Sequence, residues 1–170
     1  MSETQKAETQ KAGTQKNEIA KAGLIWTEMS EEDLEDVARI EQESFSQPWS
    51  IDSFRDAIHS PDLYYLTARE GSRTVAYGGY VRSFEEACIT NFAVESALRG
   101  RGIGSFLLEE LMKRGREQGI ERFTLEVRVS NEAAIRLYEK HGFRSVGIRK
   151  NFYSFPKEDA HIMWTEEHFL

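Results

Sequence analysis

The spacing of hydrophobic residues changes several times along the chain, and each change predicts a new element. Residues 24–29, "LIWTEM", are apolar and β-prone, and predict a first strand. The next segment, "SEEDLEDVARIEQESF", has the approximate spacing of one face of a helix. Ser30 and Asp33 stand before this helix in the arrangement of a capping box. The apolar positions of its face are Leu34, Val37, Ala38, Ile40 and Phe45.

A second helix is predicted in "QPWSIDSFRDAIHSP". Ser50 is a natural N-cap residue, and Trp49 before it can pack on Phe54 as a hydrophobic staple. Pro61 ends the helical pattern, because proline cannot continue a helix. The two helices therefore follow each other with only a short connection between them.

The pattern then becomes that of strands. "YYLTARE" and "TVAYGGYVRS", separated by "GSR", predict a hairpin, and "EEACITNFAVE" predicts a further strand. "ERFTLEVRV" alternates, with Phe123, Leu125 and Val127 on one face and Thr124 and Glu126 on the other. "FRSVGIRKNFY" and "DAHIMWTE" predict the last two strands.

Two more helices lie between these strands. Residues 102–118 carry an apolar face and end before Gly119, which suits a C-terminal cap. "NEAAIRLYEKHGF" predicts a shorter helix that opens at Asn131 and closes at Gly142. The order is β-α-α-β-β-β-α-β-α-β-β, which predicts a single α/β domain with a mixed central sheet of about seven strands flanked by four helices.

The first 23 residues differ in kind from the rest. "ETQKA" occurs at Glu3 and at Glu8, and a shortened copy, "GTQK", follows at Gly13. The only large apolar residues in this stretch are Met1 and Ile19, too few to offset the entropy of ordering. We expect residues 1–23 to be a disordered repetitive tail and residues 24–170 to form the domain.

Composition narrows the classes of partner. The chain has 170 residues, a formal net charge of −7 and 39% hydrophobic residues, which is enough for one full core. An acidic chain argues against a nucleic-acid surface, which would need a concentrated basic patch. The single cysteine, Cys88, fits a reducing compartment, and no apolar run is long enough to span a membrane. We expect a soluble cytoplasmic protein with no nucleic-acid or membrane partner.

The segment "RGRGIGS", residues 99–105, stands between a predicted strand and a predicted helix. Glycines there let a ligand approach the backbone, and the N–H groups at a helix start attract anions. Two neighbouring arginines favour a phosphate or a pyrophosphate. The segment lacks the Lys-Ser/Thr of the ATP/GTP loop, and Leu107 stands where a dinucleotide fingerprint needs glycine. A tight turn with no ligand is the alternative.

At these residues a family resemblance emerges. "RGRGIG" is similar to the Arg/Gln-x-x-Gly-x-Gly/Ala signature of the GNAT acetyltransferase superfamily. "QPWS", "TNFAV", "LEVRVSNEAAIRLYEKHGF" and "RKNFY…EDAHIM" resemble its ribosomal-protein-alanine N-acetyltransferase branch, the RimI branch. The resemblance runs from about Ile25 to Trp164. Two departures are the repetitive tail and Arg99, a position that more often carries glutamine.

The resemblance implies acetyl-CoA as cosubstrate and assigns residues to it. The glycine-rich loop would hold the pyrophosphate, mostly through backbone N–H groups, and one strand would pair with the acetyl-pantetheine arm. The N–H of Val94 would polarise the thioester carbonyl. Asn131 matches a residue that contacts the cofactor, and it is also a good N-cap. The loop residues are Arg99, Gly100, Arg101, Gly102, Ile103, Gly104 and Ser105, and the strand residues are Phe92, Ala93 and Val94.

The resemblance also implies that Glu126 is the general base and Tyr138 the general acid. Taken alone, the first would be a solvated strand glutamate and the second a core tyrosine with a wet hydroxyl. A single carboxylate is adequate as the base when the acceptor is an α-amino group, because the pKa of that group is about 8. A lysine side chain, with a pKa of about 10.4, is harder to deprotonate. The implied acceptor is a basic protein N-terminus, in the family the N-terminal alanine of ribosomal protein S18.

Three alternatives remain open at this point. The acceptor could be a lysine side chain or a small-molecule amine, or the domain could bind coenzyme A without chemistry. Cys88 could carry an acyl group, but no histidine is placed by sequence to activate it, so a buried strand cysteine is the better interpretation. The four histidines show no metal-ligand spacing, and we expect no metal. They are His59, His141, His161 and His168.

Overall fold

A computed structural model describes residues 23–166, and the predicted order of elements is confirmed. Residues 1–22 of the predicted tail (1–23) and residues 167–170 lie outside the described part. The boundary between tail and domain therefore stays a prediction. The strands are β1 (Leu24–Glu28), β2 (Leu63–Glu70), β3 (Arg73–Ser83), β4 (Glu86–Val94), β5 (Arg122–Arg128), β6 (Phe143–Ser154) and β7 (Lys157–Thr165). The helices are α1 (Leu34–Ser44), α2 (Ile51–Ile58), α3 (Ile103–Glu117) and α4 (Glu132–Lys140).

The seven strands form one mixed sheet in the order β1-β2-β3-β4-β5-β7-β6. All neighbours are antiparallel except β4 and β5, which are parallel and connected through α3. A parallel pair needs such a crossover, because its strands begin at the same end of the sheet.

The parallel pair separates halfway along its length. Pairing between β4 and β5 runs from Glu86 opposite Arg122 to Ile89 opposite Leu125 and goes no further. Beyond that point β4 continues to pair only with β3, and β5 only with β7. A register shift in the β3–β4 ladder leaves Thr90 without a paired residue where the separation begins. The sheet is therefore open between the carboxyl-terminal halves of β4 and β5.

Each face of the sheet has its own apolar cluster. The larger cluster joins α3 and α4 to the strands and includes Leu107, Leu111, Phe123, Leu125 and Tyr138. The smaller one joins α1 and α2 to β2, β3 and β4. Its members include Val37, Ile40, Phe54, Tyr65 and Tyr77. Helices thus cover both faces, and the opening in the sheet connects the two sides.

The signals predicted for the first helices are present. The backbone N–H of Ser30 donates to Asp33 Oδ2 at 2.8 Å in the turn that leads into α1. Ser50 caps α2 by accepting the N–H of Ser53 at 3.1 Å. The rings of Trp49 and Phe54 lie 5.4 Å apart between centroids, as a hydrophobic staple requires.

A buried carboxylate ties the connection between α1 and α2 to the sheet. Glu41 is 2% exposed. Its Oε1 accepts the Trp49 N–H at 3.1 Å and Asn91 Nδ2 at 3.3 Å, and its Oε2 accepts the Tyr77 hydroxyl. Tyr65 donates in turn to Asn91 Oδ1 at 2.9 Å. Glu41 therefore holds the "QPWS" segment against the part of β4 where the sheet opens.

Removal of this carboxylate should be costly. Glu41→Ala leaves three buried donors without an acceptor and should lower the free energy of unfolding by about 3 kcal/mol, since each unsatisfied group costs about 1–3 kcal/mol. Glu41→Gln keeps an acceptor for Trp49 and Asn91 and can donate to the Tyr77 oxygen. Urea unfolding of both variants checks this, and an equal loss in the two would contradict it.

The same residue gives a pH dependence of known sign. Burial raises the pKa of Glu41 above its ordinary value of 4.5, despite the hydrogen bonds from Trp49 and Asn91 that lower it. The folded state then keeps a proton that the unfolded state has lost, so stability falls as pH rises from 4.5 through the folded pKa. We expect Glu41→Gln to gain stability relative to the parent chain over this same rise in pH.

Candidate active site

The opening between β4 and β5 exposes backbone groups of β4. The Glu95 N–H donates to the Val75 carbonyl in β3 at 2.9 Å. Backbone groups alternate in direction along a strand, so the N–H groups of Phe92 and Val94 point away from β3, into the opening. The carbonyl of Val94 already accepts Arg99 Nε at 2.9 Å. The N–H of Val94 is thus placed to donate to a ligand in the opening.

The glycine-rich loop leads from this strand into α3. Gly100 and Gly102 have φ values of 76° and 86°, which side chains other than glycine rarely adopt. The helix begins at Ile103, and the Phe106 N–H bonds back to the Gly102 carbonyl at 3.3 Å. The first three N–H groups of the helix have no acceptor within it. Such N–H groups at the positive end of a helix, here one of 15 residues, attract anions.

Two predicted loop side chains bind other parts of the protein. Arg99 braces the end of β4 against α1, because its Nη2 also donates to Ser44 Oγ at 2.9 Å. Ser105 is buried, and its hydroxyl lies 2.6 Å from His141 Nε2. Arg101 is exposed. The predicted contacts of Arg99 and Ser105 with a cofactor stay predictions, and in this structure their side chains bind other residues of the protein.

Gly104 lies in the first turn of α3, where there is room for a side chain. A Cβ built there would lie 3.6 Å from Leu137, 3.7 Å from Val94 and 3.8 Å from Phe92, which are ordinary contacts. Packing within the protein does not require a glycine at this position. A methyl group there would point toward the strand residues beside the opening.

Glu126 lies on β5 at the first position after pairing with β4 ends. Its side chain is on the face opposite Leu125 and Val127, as the alternation predicts. Its Oε1 is 3.0 Å from Arg149 Nη1 on β6, and its Oε2 is 3.9 Å from Cys88 Sγ on β4. The side chain is 20% exposed. Glu126 is thus a partly shielded carboxylate beside the opening.

The thiol of Cys88 is half-buried beside this carboxylate. Burial, with the negative charge of Glu126 as the next cause, raises the pKa of Cys88 to about 11. The thiol form is therefore stable at neutral pH, and the thiol form is a poor nucleophile. The structure favours a packing role for Cys88 over the acyl-carrying role considered from the sequence.

Tyr138 lies on the other side of the sheet. It is on α4, buried, and its ring packs against Phe92 and Phe143 at centroid distances of 6.2 and 5.7 Å. Burial raises the pKa of Tyr138, and the nearby Tyr153 raises it further. Its hydroxyl therefore stays protonated at neutral pH. Asn131 caps α4, because its Oδ1 accepts the Ala134 N–H at 3.2 Å.

The face that carries Glu126 is bordered by two loops. Ser46, between α1 and α2, donates its hydroxyl to the carbonyl of Phe155 in the β6–β7 turn. Arg128 on β5 also binds this turn. Its Nη1 donates to the Pro156 carbonyl at 3.0 Å and its Nη2 to the Phe155 carbonyl at 2.9 Å. Tyr153 donates to the Glu126 carbonyl at 3.3 Å. The two loops therefore meet on the face of the sheet that carries Glu126.

Sequence reasoning missed one residue of this site. Arg149 on β6 contacts Glu126 on β5 across the intervening strand β7, and pairwise spacing in the sequence gives no sign of it. One local signal was available in the sequence. The segment "RKNFY" places Arg149 close to aromatic residues, in a predicted strand where polar and apolar residues would be expected to alternate. Arg149 also lies over the Phe152 ring at 5.3 Å.

The sequence predicts neither a metal site nor a membrane-spanning segment. Across residues 23–166 no group of three or more His, Cys, Asp and Glu side chains is arranged to hold a metal ion. Within the same range, none of the helices has the length and apolar character needed to cross a membrane.

Comparison with known proteins identifies the family. Residues 34–143 match the model of the acetyltransferase (GNAT) family. A Bacillus subtilis (strain 168) protein, provisionally named a ribosomal protein bS18-alanine N-acetyltransferase, is 39% identical over 134 residues, 78% of this chain and 89% of that protein. The Escherichia coli (strain K12) protein named ribosomal protein bS18-alanine N-acetyltransferase is 35% identical over 133 residues, 77% and 89% of the two chains.

The fold agrees with these relatives. The crystal structure of the ribosomal-protein-S18-alanine N-acetyltransferase from Escherichia coli superposes with a TM-score of 0.78 at 30% identity, covering 86% of this chain and 96% of that one. The chain belongs to the acetyltransferase (GNAT) family and is an acetyl-CoA-dependent N-acetyltransferase.

Proposed function

We propose that this enzyme transfers the acetyl group of acetyl-CoA to the α-amino group of a protein N-terminus, and that its acceptor is the N-terminal alanine of ribosomal protein S18. The observation that carries the proposal is the opening between β4 and β5, with Glu126 on one side of the sheet and Tyr138 on the other. The names of the relatives at 35–39% identity support the acceptor.

The loop and β4 fit the donor from the α3 side of the sheet. The unpaired N–H groups at the start of α3 take the pyrophosphate, and the β4 backbone from Phe92 to Val94 pairs with the extended arm. Acetyl-CoA supplies an activated acetyl group when bound. The Val94 N–H then donates to the oxygen of that group, where negative charge develops.

The acceptor enters from the opposite side, on the face where the two loops meet and Glu126 lies. Glu126 accepts the proton of the attacking amine, directly or through a water. Tyr138, protonated and buried on the donor side, donates to the departing sulfur. Because the two residues lie on opposite faces, the amine and the thioester meet within the opening of the sheet.

The test uses two peptides with the same basic sequence, each beginning with alanine and containing an internal lysine. One has a free N-terminus and the other a blocked one. We expect acetylation of the free peptide alone, with the label on the α-amine by mass spectrometry. Equal activity on both would reassign the acceptor to lysine, and binding of coenzyme A without activity on either would point to a small amine.

A further inference from the structure

The general base proposed above is already paired with a cation. Arg149 Nη1 lies 3.0 Å from Glu126 Oε1, while Oε2 lies 3.9 Å from Cys88 Sγ. The two carboxylate oxygens therefore differ: one is bound by a guanidinium and the other faces a thiol of β4, in the part of that strand that still pairs with β5.

Regular pairing places Arg149 on the face of Glu126, since Glu126 and Gly147 both pair with Ile162 and Arg149 is two residues further along β6. An irregular stretch of β6 follows it. The pairing of β6 with β7 shifts between Arg149 and Tyr153, and Asn151 within that stretch has a φ of 55°. The Asn151 N–H is held by Asp159 Oδ1 at 2.7 Å across the hairpin. An irregularity of this kind in a strand changes the direction of its side chains, and bulges are common beside active sites. Before it, Arg149 pairs in register with Ala160 and reaches the Glu126 side chain, and after it Tyr153 reaches the Glu126 carbonyl.

Stability alone gives a poor account of this ion pair. Arg149 is 52% exposed, and ion pairs with such exposed partners contribute little to folding. Its location at the candidate base is the feature that needs an explanation. A carboxylate that must accept a proton from one direction works best when its rotamer is held, since small errors of position are costly in catalysis.

Resting on the function proposed above, we propose that Arg149 is a positioning residue for Glu126. It binds Oε1 and fixes the plane of the carboxylate, so that Oε2 is the oxygen that takes the proton from the acceptor amine. Tyr153 holds the backbone of the same residue through the Glu126 carbonyl. Arg149 itself neither gives nor takes a proton, and its guanidinium remains charged throughout.

The experiment compares Arg149→Gln with Arg149→Lys and with a matched control, Arg144→Gln. Arg144 lies on the same strand, has nearly the same exposure at 51%, and pairs with Glu166 at 3.6 Å, away from Glu126. Turnover is measured with the alanine peptide at saturating acetyl-CoA, and stability is measured by urea unfolding. We expect kcat to fall about 10- to 100-fold in Arg149→Gln, with the KM for acetyl-CoA and the urea midpoint unchanged.

Two further readouts separate positioning from a structural role. Guanidinium ion at millimolar concentration should restore part of kcat in Arg149→Gln, and Arg149→Lys should retain most of it. In a Glu126→Gln background, Arg149→Gln should have no further effect on kcat, because it acts through that carboxylate.

The results that would overturn the proposal are distinct. Unchanged kcat in Arg149→Gln, or an equal loss in Arg144→Gln, would overturn the role of Arg149 alone. An undiminished effect of Arg149→Gln when Glu126 is already glutamine would do the same. Full turnover of Glu126→Gln by itself would instead refute the proposed base, which is a failure of the proposed function.

Discussion

Replacing Glu126 with glutamine is expected to lower kcat by about 10²- to 10⁴-fold, the range that general-base catalysis contributes. Glutamine has nearly the same shape and can still accept from Arg149, but it cannot take a proton from the amine. The donor site lies on the other side of the opening, so acetyl-CoA binding should not change. Steady-state kinetics with the free-terminus alanine peptide and calorimetry with acetyl-CoA measure the two effects.

Glu86→Gln is the matched control for this substitution. Glu86 is on β4, is 37% exposed and pairs with Arg122, so it is also a carboxylate paired with an arginine in the central sheet. It lies at the opposite end of the β4–β5 pairing from the opening. We expect full activity from Glu86→Gln, and comparable losses in the two variants would show that a general charge effect, not proton transfer, was measured.

Replacing Tyr138 with phenylalanine is expected to lower kcat by about 10²-fold, within the range for loss of a positioned acid. The ring contacts with Phe92 and Phe143 remain, so the fold and the donor site should be retained. Because burial raises the pKa of Tyr138, its hydroxyl is protonated throughout the working pH range. The loss should therefore be the same at pH 6.5 and pH 8.5, which a pH series of kcat ratios will show.

Tyr80→Phe provides the comparison for Tyr138→Phe. Tyr80 is fully buried in the same apolar cluster, and its hydroxyl donates to Gln118 at 3.2 Å, at the carboxyl end of α3. Tyr80→Phe also removes a tyrosine hydroxyl oxygen, but at a position far from the candidate site. If Tyr138→Phe kept the activity of Tyr80→Phe, the departing sulfur would have to obtain its proton from another source.

Local patterns in the sequence determined the elements and the family. Alternation along β5 placed Glu126 opposite the apolar residues, and Ser50 with the Trp49–Phe54 contact set the start of α2. These features act between residues a few positions apart, so they can be read without knowing the fold. The glycine-rich loop with its flanking blocks was specific enough to indicate the GNAT family, which the comparison confirmed.

Tertiary structure decided which atoms of the site are available. Arg99 and Ser105 belong to the loop in sequence, yet their side chains bind Val94, Ser44 and His141. The pairing of Arg149 with Glu126 exists because β7 lies between β5 and β6, in a register that puts both side chains on one face of the sheet. Such contacts join residues far apart in the chain, and they depend on strand order and register, which local hydrophobic patterns do not specify.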